Sequence, residues 1–234
     1  MRRVALLLLL CLVGTGGAFA GTSKYTLTKQ EIKQAEKRLA ELGYWAGPAD
    51  GVWDAASRHA LVAFQKVEGA RPTGVLTRAE FNALTDSLQG VPKPRRKAAG
   101  PHIEIDIGRQ ILYLVDADGK VANILPISSG SGKRFYENGY PETLAITPCG
   151  QLEVYQKLSG WKKSPLGEMH NPLYIVGGIA IHGSEDVPPY PASHGCIRIP
   201  MFASHRLPGM IQVGTPVLVY GCKEETKSLL SDVN

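Results

Sequence analysis

Apolar residues recur at helical spacing through the first third of the chain and then change to strand-like alternation. Three helices are predicted between residues 25 and 88, and each opens at a capping side chain, Thr28, Asp54 or Thr77. Glycines follow the first two, at positions where a helix commonly ends. The predicted buried faces consist of Ile32, Ala35, Leu39 and Leu42; Ala60, Leu61, Phe64 and Val67; and Phe81 and Leu84.

The starts of the second and third helices look like copies of one pattern. Asp50-Gly-Val-Trp-Asp54 corresponds to Thr73-Gly-Val-Leu-Thr77. This helical segment resembles the small peptidoglycan-binding module. Trp53 is expected in its core, whereas Tyr44 and Trp45, in a loop, are either core residues or a surface for a sugar face. His59 stands alone on its helix and is expected at the surface.

From residue 101 the pattern is that of β-strands. Residues 102–107 alternate strictly, and residues 110–115, 121–128, 152–155, 173–176, 178–182 and 216–220 add further apolar runs. A short helix is expected over residues 200–207. The fold class predicted is α+β: a three-helix module followed by a mainly β domain at residues 101–222, with a polar tail at 223–234.

Residues 89–100 separate the two predicted domains. This stretch contains Pro92 and Pro94 and a basic cluster from Lys93 to Lys97, with no apolar period. It is interpreted as a semi-extended tether. Its charges are expected to be solvated or to attract anionic polymers of the envelope.

Residues 1–20 have the pattern of a secretory signal. Arg2 and Arg3 precede an apolar run, and Ala18-Phe-Ala20 forms a cleavage pattern. Cleavage after Ala20 would leave 24 Lys and Arg against 21 Asp and Glu, a net charge of +3 that gives no argument for nucleic acid. The mature chain is therefore expected in the periplasm or cell wall, without an integral membrane span.

The candidate chemistry lies in one loop, Ser193-His-Gly-Cys-Ile-Arg198, and in His182, which ends an apolar alternation. A cysteine is nucleophilic as a thiolate and needs a base nearby. In an extended backbone, His194 and Cys196 would project from the same face, with Gly195 between them allowing close approach. Two alternatives are a buried, inert Cys196 and a zinc site formed by His182, His194 and Cys196, although the usual zinc spacing is missing.

His182-Gly183 followed by Ser193-His194-Gly195-Cys196-Ile197-Arg198 resembles the signature of the L,D-transpeptidases (YkuD type). The resemblance implies a β-sandwich-like domain with Cys196 as nucleophile and His182 as general base. His194 and Ser193 would support the loop, and backbone N–H groups around Gly195 and Cys196 would hold an oxyanion. Arg198 would bind a substrate carboxylate or instead brace the loop as an ion pair. Gly183 and Trp161 are assigned to the substrate side.

The implied substrate is the stem peptide of peptidoglycan, cleaved at the third, diamino residue with release of D-alanine. An amine acceptor would give 3→3 cross-links, water would give L,D-carboxypeptidase activity, and a protein amine would give anchoring. A wall-binding protein without turnover is a further alternative. No cofactor is implied. Residues 156–167 are expected to form a lid, or Trp161 to plug the sheet edge. Cys149 and Cys222 are paired or free, and theirs is the one internal disulfide compatible with a nucleophilic Cys196.

Overall fold

The structure, a computed structural model, describes residues 26–136 and 142–222. The predicted signal at residues 1–20 and the tail at 223–234 lie outside these residues. The three predicted helices are present as α1 (Lys29–Glu41), α2 (Ala55–Val67) and α3 (Arg78–Asp86). Thr28 and Glu31 form the reciprocal capping box, and Asp54 and Thr77 each accept a backbone N–H of their helix's first turn. All the predicted apolar positions except Ile32, which is partly exposed, belong to one packed apolar cluster.

The internal repeat of the sequence is also a repeat of hydrogen bonds. Gly51 N–H donates to Glu36 Oε2 (2.8 Å), and Gly74 N–H donates to Gln65 Oε1 (2.9 Å). Glu36 and Gln65 are fully buried polar residues on α1 and α2. In each copy, the turn before one helix is therefore hydrogen-bonded to a buried side chain of the preceding helix. This bond gives the buried polar side chain a partner in the core.

In the described residues, the second domain consists of two main sheets and two short helices. Its elements are β1 (His102–Asp106), β2 (Ile111–Val115), β3 (Val121–Pro126), β4 (Arg134–Phe135), β5 (Thr143–Leu144), β6 (Gly150–Glu153), β7 (Gln156–Lys157), β8 (Trp161–Ser164), β9 (Gly167–Val176), β10 (Ile179–Ser184), β11 (Ile197–Pro200), α4 (Met201–Ser204), α5 (Leu207–Met210) and β12 (Pro216–Tyr220). Five strands form the first sheet in the order β3-β2-β1-β12-β6. The second sheet has the order β11-β10-β9-β7, with β8 also paired to β9, and β4 and β5 form a separate pair.

The core of this domain lies between the two sheets. Alternate residues of the first sheet, such as Ile103, Ile105 and Leu112, pack against Leu173 and Ile181 of the second. The predicted α+β class with a sandwich-like second domain is thus confirmed.

The opposite face of the first sheet is covered by the helical domain. Ile111, Tyr113, Val121 and Ile124 belong to one apolar cluster with residues of all three helices. The backbone joins the domains as well: Ile124 N–H donates to Gly43 O (2.8 Å), and Trp45 N–H donates to Ile124 O (3.1 Å). The edge of the sheet at β3 is thereby hydrogen-bonded to residues 43–45 of the helical domain.

The aromatic residues before α2 lie in this interface. Tyr44 and Trp45 are 3% and 7% exposed, and the Trp45 ring packs edge-on against Phe202 of α4 at 6.2 Å. Neither ring is available to stack on a sugar. The prediction that His59 is a surface residue is wrong, because its ring is half-buried near Phe202 (6.3 Å) and burial lowers its pKa to about 4.

The segment between the domains is held against the first sheet. Glu104 of β1 is fully buried, and its carboxylate accepts the backbone N–H groups of Arg95 (3.0 Å) and Arg96 (2.8 Å). The Arg96 guanidinium lies over the Tyr220 ring at 4.9 Å, and Tyr220 Oη donates to Glu104. The interpretation of this segment as a semi-extended tether is therefore wrong around residues 95–96, where the backbone is bound, although both arginine side chains are exposed. A buried carboxylate needs hydrogen-bond donors, and the linker supplies them.

Candidate active site

A cavity of about 670 Å³ opens beside the second sheet, within the size range of small-molecule and peptide sites. The turn of the β8–β9 hairpin forms one wall, and the loop before β11 forms another. Its lining comprises Phe135, Thr143, Ser164 to Met169, Tyr174, Gly178, Ile179, His182, Ser184, Asp186, Ser193 to Cys196, and Arg198.

Strand register brings Cys196 and His182 to this cavity. In the parallel pair of β10 and β11, Ile181 lies opposite Ile197, and both point into the core. Their neighbours, His182 and Cys196, therefore point to the other face, where both line the cavity. Ala180, two residues before His182, has its backbone N–H 3.5 Å from Cys196 Sγ. The two predicted catalytic side chains are thus on one face of adjacent strands.

The environment of His182 defines its tautomer. Its Nδ1 lies 3.0 Å from Gly183 O, and since a carbonyl only accepts, Nδ1 carries the proton. The other ring nitrogen, Nε2, is then unprotonated and able to accept a proton. Burial, with a smaller contribution from the charge of Arg198, lowers the pKa of His182 to about 4, although the Gly183 hydrogen bond opposes the shift. His182 is therefore a neutral base at neutral pH.

The thiol of Cys196 is shifted in the other direction. Burial raises the pKa of Cys196, while the Ala180 N–H and the charge of Arg198 act against that rise. A raised thiol pKa beside a lowered imidazole pKa favours the neutral thiol–imidazole pair at rest. In such a neutral pair, proton transfer from the thiol to the imidazole would accompany attack.

Hydrogen bonds fix the loop that carries Cys196. Ser193 Oγ donates to Cys196 O (2.6 Å) and accepts Gly195 N–H (3.0 Å). Thr147 Oγ1 donates to Gly195 O (2.6 Å). Gly195 has a φ of 144°, and a Cβ there would lie 2.9 Å from Ile146 O, so the loop requires glycine. The Gly195 N–H predicted for the oxyanion is engaged with Ser193 in this state.

His194 lines the same cavity as Cys196. Its ring is exposed and packs edge-on against Phe135 at 4.8 Å.

Arg198, Gly183 and Trp161 have different surroundings. Arg198 lines the cavity, and its NH1 lies 3.3 Å from Asp186 Oδ2, an ion pair with an exposed carboxylate. At Gly183 a Cβ would lie 2.2 Å from Ser204 Oγ, so the lack of a side chain at this position lets α4 pack closely against β10. Trp161 is 47% exposed, packs on His170 at 5.1 Å and is not among the described residues that line the cavity.

Two further residues near Cys196 were not among the predicted site residues. Tyr174 of β9 lies opposite Ala180, lines the cavity, and has its pKa raised by burial and by the nearby Cys196. Thr147 Oγ1 donates to Gly195 O and accepts Gly130 N–H (2.9 Å). A tyrosine in an apolar strand and a threonine in a turn carry no chemistry that assigns them a role from sequence alone.

Cys149 and Cys222 form a disulfide, and Cys196 is the free cysteine of the described residues. The pairing left open by the sequence is therefore present. It joins the turn containing Thr147 to the residues that follow β12, so it also braces the segment behind Gly195.

Within residues 26–136 and 142–222, no three His, Cys, Asp or Glu side chains gather as a metal site would require. In the same part of the chain, no helix is both long and apolar enough to cross a bilayer.

Two family models match the chain. The peptidoglycan binding domain matches residues 28–84, and the L,D-transpeptidase catalytic domain, YkuD, matches residues 100–219, more than half of the chain. Among curated proteins, the localization factor PodJL of Caulobacter vibrioides is 41% identical over 51 residues, which are 22% of this chain and 5% of that protein. The chain thus matches only a small part of that much longer relative.

Solved structures of L,D-transpeptidases are also similar. One from Xylanimonas cellulosilytica DSM 15894 is 39% identical, with 81% of this chain and 93% of that chain covered and a TM-score of 0.74. Another from Stackebrandtia nassauensis is 22% identical, with 84% and 94% covered and a TM-score of 0.46. The first similarity extends beyond the catalytic domain into the helices. The chain therefore belongs to the L,D-transpeptidase (YkuD) family and carries a peptidoglycan-binding domain ahead of its catalytic domain.

Proposed function

We propose that this chain is an exported L,D-transpeptidase that cross-links peptidoglycan stem peptides through an acyl-enzyme on Cys196. One observation carries the proposal. The free thiol and a neutral imidazole lie on one face of adjacent strands in a peptide-sized cavity, in a chain of the L,D-transpeptidase family.

Acylation begins with proton transfer. Nε2 of neutral His182 accepts the thiol proton as Cys196 Sγ attacks the carbonyl of the third, diamino residue of the stem. The Cys196 N–H is the donor that we propose for the resulting oxyanion, since the Gly195 N–H is occupied by Ser193. Collapse of the intermediate breaks the C–N bond, the imidazolium returns its proton to the leaving amine, and D-alanine departs. The product is a thioester.

The acceptor decides the outcome. An amine from a neighbouring stem attacks the thioester, His182 takes its proton, and the C–S bond breaks to give a 3→3 cross-link. Water in the same place gives a tripeptide, which is L,D-carboxypeptidase activity. The cavity wall contains Phe135, Leu166 and Met169. Such apolar walls disfavour an ordered attacking water and support transpeptidation as the main reaction.

Arg198 is the proposed carboxylate site. Its partner Asp186 is 78% exposed, and an ion pair with so exposed a carboxylate is worth about 0–1 kcal/mol. The guanidinium can therefore exchange that partner for a substrate carboxylate at little cost.

Export and wall association complete the proposal. The signal pattern at residues 1–20 and the peptidoglycan-binding domain both support an envelope location, where the substrate is found. The disulfide also suits an oxidising compartment.

The proposal is tested with tetrapeptide-containing muropeptides and mass spectrometry. The mature protein should release alanine and form cross-linked dimers, with tripeptide as a minor product. Cys196→Ala should form neither product while keeping its fold, because a small replacement leaves the packing nearly intact. Products from the alanine variant at the wild-type rate would refute the nucleophile.

The base is tested by comparison of two histidine variants. His182→Ala should lower the acylation rate by about 10²–10⁴. His205→Ala, which removes an exposed ring on the same domain, should leave it unchanged. Equal rates for the two variants would refute the role of His182.

A further inference from the structure

One lysine of the helical domain is buried against the catalytic domain. Lys66, in the last turn of α2, is 8% exposed. Its Nζ donates to Gln110 O and to Ile127 O, both at 3.1 Å, and both acceptors belong to the catalytic domain. Burial lowers the pKa of Lys66 to about 7, yet the neutral amine still has two N–H groups for the two carbonyls.

The residue that receives this bond is itself unusual. Gln110 has a φ of 59°, a conformation rare for a residue with a side chain. Its carbonyl accepts Ile127 N–H (3.0 Å) as well as Lys66 Nζ. Such a backbone persists where its surroundings hold it in place.

The side chain of Gln110 continues the path toward the active site. Its Nε2 donates to Ser129 Oγ (2.7 Å), and its Oε1 accepts Ser129 N–H (2.8 Å). Ser129 O in turn accepts the N–H groups of Ala192 (3.0 Å) and Ser193 (2.9 Å). Ser193 then holds Gly195 and Cys196 as described above.

A continuous series of hydrogen bonds therefore runs from α2 to the loop of Cys196. We infer that Lys66 is a positioning residue of the L,D-transpeptidase site, through which the helical domain sets the geometry of the catalytic loop. This inference rests on the proposed function of Cys196. The helical domain then does more than bind the wall, because its docking completes the support of the nucleophile.

The test measures acylation of Cys196 by a carbapenem, separated into a maximal rate and an apparent affinity. Lys66→Met keeps the length of the side chain and removes its donors. We expect the maximal rate to fall about 5- to 30-fold with little change in apparent affinity, since the cavity walls are untouched. Lys66→Arg, which again donates to both carbonyls, should recover part of the rate.

Two control variants separate positioning from stability. Lys37→Met removes an exposed lysine of the same domain and should have no effect. Leu84→Ala destabilises the core of the helical domain without touching the path and should lower the melting temperature while leaving the acylation rate below that temperature unchanged. A Leu84→Ala variant that loses as much rate as Lys66→Met would overturn the inference.

A double-mutant cycle tests the path itself. Ser129→Ala removes the bond to Gln110 Nε2 within the catalytic domain. On its own it should also lower the maximal rate, and a wild-type rate for this single variant would overturn the path even where Lys66→Met folds poorly. Non-additive losses of maximal rate in the double variant support a shared path, and additive losses overturn it. Wild-type protein that is not acylated refutes the proposed function. Acylation of Lys66→Met at the wild-type rate refutes only the positioning role.

Discussion

Deleting the helical domain should destabilise the catalytic domain. A free tether would let residues 100–222 fold and react alone, but the structure predicts the opposite. Removal of residues 26–88 uncovers one face of the first sheet, including Ile111, Tyr113, Val121 and Ile124, which are 0–7% exposed. It also removes the backbone partners of Ile124.

The magnitude follows from the buried area. Burial of a large apolar side chain contributes about 1.5–3 kcal/mol, so four such side chains contribute about 6–12 kcal/mol. The total stability of a domain is about 5–15 kcal/mol. The truncated domain should therefore be close to its unfolding midpoint in buffer, and acylation of Cys196 should fail because the fold is lost.

Urea unfolding followed by circular dichroism is the assay. The intact protein should unfold in one transition, and the truncated one should lack a native baseline. Ile124→Ala in the full chain should cost about 2–5 kcal/mol. Val75→Ala, at a residue that is 58% exposed, should stay within about 0.5 kcal/mol of wild type. A truncated domain with the wild-type midpoint, or two transitions in the intact chain, would refute the reasoning.

Three further predictions concern the site and its surroundings. Because burial holds the pKa of His182 at about 4 instead of 6.5, its imidazole stays neutral in mild acid. On the acid side, the acylation rate should then fall with a midpoint near pH 4. A midpoint near pH 6.5 would contradict this. As the pH falls from 6.5 to 4, the imidazole of His182 is protonated in the unfolded protein but stays neutral in the folded one. Protonation of this histidine should therefore lower the free energy of unfolding by about 3 kcal/mol over that range. Replacing Cys149 and Cys222 by serine removes a cross-link across 73 residues and should cost about 4 kcal/mol in urea unfolding, where a loss under about 1 kcal/mol would be inconsistent. Leu166→Ala on the cavity wall should raise the hydrolysed product, whereas Trp161→Ala should not, and the reverse result would make Trp161 the substrate contact.

Much of the fold could be predicted from local patterns in the sequence. The caps at Thr28, Asp54 and Thr77 mark the helix starts because the signal and its effect lie within a few residues. The direction of His182, away from the core face of Ile181, also follows from the apolar alternation around it.

Contacts between the domains had no such local signal. Tyr44 and Trp45 are buried by a sheet more than sixty residues away in the chain, and no period in the sequence records that neighbour. Glu104 is in a strictly alternating strand, where a polar residue suggests solvent. It is buried because the linker brings two N–H donors to it.

The anchoring of the linker at both ends limits how far the wall-binding domain can reach. At one end, the Arg38 guanidinium donates to Ser87 O and Gln89 O. At the other end, the Glu104 carboxylate accepts the N–H groups of Arg95 and Arg96. Between Gln89 and Arg95 only five residues are left, so these anchors can separate by no more than about 20 Å even fully extended. Two of the five are prolines, which stiffen the segment. For the proposed transpeptidase, a connection this short would keep the active site beside the peptidoglycan strand that the helical domain binds.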